Sequence, residues 1–130
     1  MIVLDASAAV ELLLNTAAGK QIATRLESGD AIHCPHLIDI EIIQTLRRLV
    51  ARSELNPDRA TIALAHWSSL EVERYPHAPF FDRIWVLKDN FSAYDAVYVA
   101  LAEILQAPLV TGDQRLANAP GTAARIEWIA

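Results

Sequence analysis

Four carboxylates in this sequence stand where chemistry could use them. Asp5 ends the apolar run "MIVLD", Asp113 follows "PLVTG", Asp95 lies near the start of "NFSAYDAVYVALAE", and Glu41 sits among Ile40, Ile42 and Ile43. Brought together, four such groups would repel one another and raise each other's pKa values. They coexist comfortably around cations, and all-oxygen ligation suits Mg²⁺ or Mn²⁺. Each also has a plain structural use. Aspartate at a strand-to-helix joint commonly serves a turn or an N-cap, Ser92 followed three residues later by Asp95 has the form of a capping box, and Glu41 suits a solvated helix face. Local sequence leaves both uses open, so the elements that carry these residues decide whether they meet.

Those elements alternate. "MIVLD" reads as a short buried strand and "SAAVELLL" as the helix leaving it, with Ser7 as its N-cap. A helix is expected over 17–28, then a strand "AIHC" closed by Pro35. Over 37–52 a strong helix carries Ile38, Ile42, Leu46, Leu49 and Val50 on one stripe and Glu41, Gln44, Thr45, Arg48 and Arg52 on the other. Asn56 caps the next helix with Pro57 at its first position. "VERY" reads as a third strand, "PFFDRIWVLKDN" as one helix, 93–106 as another, and "PLVTGD" and "IEWI" as the last strands. Strands alternating with helices give an α/β fold with a mainly parallel sheet, in one domain spanning 1–130. Ligands of such sheets bind beyond the carboxyl ends of the strands, where strand order reverses. Asp5 and Asp113 both belong at that edge.

Composition narrows the function classes. The 11 Lys plus Arg against 16 Asp plus Glu leave a net charge of −5, which argues against binding nucleic acid through a basic surface. Bound divalent cations would remove that objection by adding positive charge where a phosphate must approach. Hydrophobic residues make up 53% of the chain, more than one small core uses, so some apolar surface is expected to be buried against a partner. No uncharged run reaches the roughly 20 residues of a membrane span, and "MIVLDASAAVELLL" lacks the basic start of a signal peptide. The lone Cys34 cannot form an intrachain disulfide and fits a reducing cytoplasm as a small core residue. His33, His36, His66 and His77 show no ligand spacing. Asp39, Asp58, Asp82 and Asp89 read as charges at helix ends, and Trp67, Trp85, Phe80 and Phe81 as core or dimer contacts.

The stretches "IVLDASA", "IDIEIIQTLRR", "NFSAYDAVYVALAE" and "PLVTGDQRLA", in that order across the chain, resemble a PIN-domain ribonuclease of the VapC type, the toxin of a toxin-antitoxin pair. The resemblance implies a PIN-like three-layer fold and a metal-dependent endoribonuclease whose acidic quartet is Asp5, Glu41, Asp95 and Asp113. It further implies Asp5, Asp95 and Asp113 as metal ligands, Ser7 and Thr111 as supporting hydroxyls, and Mg²⁺, with Mn²⁺ as a substitute, as cofactor. RNA as substrate, a cognate antitoxin, a homodimer and a cytoplasmic location follow from it as expectations. Arg47, Arg48 and Arg52 could touch an RNA backbone, although arginine near a helix C-terminus is also expected for the helix dipole alone. An inactive, dimerising PIN-like interaction module is the alternative, and keeping four like charges close speaks against it. A phosphatase of the haloacid-dehalogenase type needs a second acid two residues after Asp5, where Ser7 stands, and a phosphoacceptor receiver needs an acidic pair and a late lysine that are missing.

Overall fold

A computed structural model describes residues 1–130. Five strands, β1 (Ile2–Leu4), β2 (Ile32–Pro35), β3 (Val72–Tyr75), β4 (Leu109–Thr111) and β5 (Ile126–Trp128), form one sheet in the order β3-β2-β1-β4-β5. Every pairing is parallel. The chain places β2 and β3 to one side of β1, then β4 and β5 to the other, so strand order reverses between β1 and β4. Both of these strands are buried at every position, as expected of central strands covered on two faces.

Seven helices do the covering: α1 (Ala6–Leu13), α2 (Ala17–Glu27), α3 (Leu37–Ala51), α4 (Pro57–Ser69), α5 (Phe81–Val86), α6 (Ala93–Leu105) and α7 (Gln114–Ala117). α1 packs with α2, α3 and α4 and against β4, while α6 lies on β1, β2 and β4 and holds α5. The result is the α/β fold with a parallel sheet expected from the alternation, in the three-layer arrangement that the resemblance implies. On α3, Ile38, Ile42 and Leu46 recur every four residues, and all three are fully buried. The run Ala96–Ala102 is buried without interruption, so the middle of α6 is enclosed on all sides rather than amphipathic. It stops at Gln106, whose φ of 52° is a left-handed cap.

Several boundaries differ from the sequence expectation. The cap of α1 is Asp5, whose side chain accepts from the Ala8 amide, and Ser7 lies inside the first turn. "PFFDRIWVLKDN" is not one helix: α5 is flanked by tight 3-10 turns over Ala78–Phe80 and Leu87–Asp89. The tighter turns bring Phe80 and Leu87 into the core while Phe81, Trp85 and Val86 stay exposed. The four-residue α7 was not anticipated, being too short to display a helical period.

Candidate active site

Asp5 is the most enclosed of the four acids, at 7% exposure. Its Oδ1 accepts from the Ala8 amide at 2.9 Å and from the Ser7 hydroxyl at 2.6 Å, and its Oδ2 accepts from the Thr111 hydroxyl. Ser7 in turn accepts from the Gly112 amide at 2.8 Å, and Thr111 accepts from the Asp113 amide at 3.0 Å. The ends of β1 and β4 are thus stitched together around one carboxylate. A Cβ on Gly112 would stand 3.3 Å from Ser7 Oγ, so that any larger residue would press on the hydroxyl that Asp5 accepts from. Asp113 caps α7 by accepting from the Arg115 amide at 2.9 Å, and its Oδ2 lies 3.5 Å from the largely exposed Arg115 guanidinium.

Glu41 and Asp95 approach from other elements. Glu41, on the second turn of α3, accepts a 2.6 Å hydrogen bond at Oε1 from the Tyr98 hydroxyl of α6. On the first turn of α6, the Asp95 amide donates to the Ser92 hydroxyl at 3.1 Å, so Ser92 caps the helix. Asp95 is therefore not needed to cap it with its carboxylate.

Burial and mutual repulsion act on the same groups. Burial pushes the Asp5 carboxyl above the usual carboxylate range; hydrogen bonds from Ser7, Thr111 and Ala8 pull back, and the Asp113 charge adds to the rise. Burial raises Glu41 too, the Tyr98 hydroxyl opposes, and the charges of Asp95 and Asp5 push further. Asp95 is raised by burial, then by Asp5 and Asp113, with Arg115 opposing. Asp5 and Asp95 thus both feel Asp113, and Glu41 feels Asp95 and Asp5, beside the switch point of the sheet. No three acidic, histidine or cysteine side chains converge closely enough to hold an ion as they are placed. The donor set nonetheless has the all-oxygen chemistry of a hard divalent cation.

The other candidates stay apart from this crevice. His33 is hydrogen-bonded to Tyr75, and His77 Nε2 accepts from the Leu37 amide at 2.9 Å, serving the start of α3. Asp39 is more than a first-turn charge: it takes two hydrogen bonds from Arg74 and one from the Trp67 indole, tying α3 to β3 and α4. Trp67 and Phe80 are core residues, whereas Phe81 and Trp85 are exposed. Tyr98 was missed as a partner of the site. Its spacing of three residues from Asp95 places both on one helix face, a signal present in the sequence.

The PIN domain family matches residues 2–121. Ribonuclease VapC12 of Mycobacterium tuberculosis is 44% identical over 130 residues, covering 100% of both chains. The chain belongs to the PIN-domain family, among its VapC ribonucleases. Two solved structures share the fold of this VapC-family chain. PAE2754 from Pyrobaculum aerophilum aligns with a TM-score of 0.72 at 23% identity, over 96% of this chain and 81% of that one. VapBC2 from Rickettsia felis, solved bound to a DNA fragment from their promoter, aligns with a TM-score of 0.66 at 15% identity over 100% of each.

Proposed function

We propose that this chain is a divalent-metal-dependent endoribonuclease and the toxin of a toxin-antitoxin pair. The reading is supported by the charge coupling of Asp5 with Glu41, Asp95 and Asp113 beside the β1/β4 switch point, in a chain 44% identical to a named ribonuclease along its full length. Asp5, Asp95 and Asp113 would hold the ion, Mg²⁺ with Mn²⁺ as substitute. When bound, such an ion neutralises the scissile phosphate, lowers the pKa of the attacking water and stabilises the leaving 3′-oxygen. Ser7 and Thr111 orient Asp5 by occupying one lone pair on each of its oxygens. Tyr98 fixes Glu41 through Oε1 and leaves Oε2 to accept the proton of the attacking water. Water attack at phosphorus expels the 3′-oxygen, leaving a 3′-hydroxyl and a 5′-phosphate.

An antitoxin would silence the site by presenting an arginine to the carboxylates, a bidentate partner that replaces the charge of the metal. No observation favours the inactive interaction module. The direct test is chelation: EDTA abolishes cleavage of cellular RNA by the purified chain, and excess Mg²⁺ or Mn²⁺ restores it. Cleavage that persists in excess EDTA would refute metal dependence.

A further inference from the structure

Beside Glu41 opens a recess of about 370 Å³ whose lining includes Ile40, Gln44, Arg48 and Tyr94. Its size falls within the range of small-ligand pockets. Asp95 lines a second hollow of about 230 Å³ together with Asn90, Ser92 and Arg115. Glu41 thus borders one hollow and Asp95 the other, each with one arginine on its wall. Tyr94, on the first turn of α6, shares the recess with Glu41 of α3. It is 65% exposed, in contrast to Tyr98, one turn later on the same helix, which is buried and bonded to Glu41. Ile40, equally exposed, provides an apolar neighbour in the recess.

We infer that this recess is a nucleoside subsite in which the Tyr94 ring stacks on a base of the RNA adjacent to the cut phosphodiester. The inference rests on the ribonuclease reading and extends it to a substrate-positioning residue. Unpaired bases stack on aromatic side chains, and every base offers a π-face, so a solvent-facing tyrosine sharing a recess with Glu41 suits a splayed nucleotide. The Gln44 amide can meet the edge of that base, and Arg48 can meet a flanking phosphate. The geometry also separates the arginines of α3: Arg48 lines the recess with Glu41, whereas Arg47 lines an apolar groove between α3 and α4.

Binding is measured by fluorescence anisotropy with a labelled RNA hairpin carrying a mixed-sequence loop, using Asp113→Asn protein to prevent cutting. Adding Tyr94→Ala is expected to weaken binding about ten- to a hundredfold, the equivalent of one lost stacking contact. Tyr94→Phe is expected to match the parent, because the ring and not the hydroxyl makes the contact. Unchanged affinity in Tyr94→Ala would overturn the inference, as would a Tyr94→Phe loss equal to that of Tyr94→Ala. A change of oligomeric mass in Tyr94→Ala with RNA affinity intact would assign the residue to a protein contact and overturn it equally. Cleavage is scored separately in the chain with Asp113 intact. Its absence counts against the ribonuclease reading, while the binding comparison still decides the role of Tyr94.

Discussion

At the scale of single residues, capping and convergence prove compatible uses of one carboxylate. Asp5 caps α1 through Oδ1 and receives Thr111 on Oδ2, and Asp113 caps α7 while facing the same crevice. Either use was legible from the position of each acid after an apolar strand, but their coexistence was not, because it depends on which oxygen each donor takes. Asp95 is the cleanest test, since Ser92 does the capping. Burial and the charges of Asp5 and Asp113 raise its proton affinity in the fold. A raised carboxyl contributes stability that is fully present below its ordinary pKa of about 4 and is lost as pH rises through the folded value. In chelator, Asp95→Asn should therefore melt above wild type at neutral pH, with the gap closing as pH falls below the ordinary carboxylate range. The same substitution should reduce RNA cleavage by about a hundredfold or more, the scale of removing one preorganised charge-stabilising group. A variant that melts below wild type at pH 7 would return Asp95 to a structural role.

At the scale of elements, the strands and helices that position the acids were readable where burial imposes a simple pattern. β1 is a continuous apolar run and β4 nearly one, both buried throughout, and the Ile38, Ile42, Leu46 spacing of α3 falls on its buried stripe. What escaped depends on partners distant in sequence. Asp39 and Arg74 lie 35 positions apart, yet their paired hydrogen bonds, with the Trp67 indole, join three elements. Burial pushes the Asp39 carboxyl up, but Arg74 and Trp67 outweigh it and hold it below the usual range. Its contribution to stability is therefore present above the ordinary pKa and lost as pH falls through the depressed value. Asp39→Asn should lower stability by about 1 kcal/mol or less at neutral pH, given its partial exposure and solvent screening. It should leave cleavage intact, and melts across the acid range should show the deficit shrinking. Asp39 and Asp95 are thus expected to respond to the same chemical change with opposite signs, which separates a structural aspartate from a site aspartate.

At the scale of the whole molecule, the apolar surplus of the composition reappears on the surface. Phe81, Trp85 and Val86 are all more than half exposed on α5, although the reading of their segment as one helix left their exposure undetermined. No helix is long and apolar enough to cross a membrane, and exposed apolar side chains of this kind suit a protein contact. A homodimer is the expected one: light scattering on the purified chain should give twice the 14.3 kDa chain mass, and Trp85→Asp combined with Phe81→Asp should shift it to a monomer. A strict monomer of wild-type chain at micromolar concentration would leave the face to the antitoxin partner, for which an amphipathic helix laid on an apolar surface is a common mode.

The chemistry is tested most directly by the ends of the RNA that the chain cuts. Hydrolysis by water at the carboxylate site releases the 3′-oxygen, so end mapping of RNA cut in Mg²⁺ should find a 5′-phosphate on one fragment and a 3′-hydroxyl on the other. Fragments ending in a 2′,3′-cyclic phosphate would mean that the RNA's own 2′-hydroxyl was the nucleophile, and would contradict the assignment of Asp5, Glu41, Asp95 and Asp113 to the reaction.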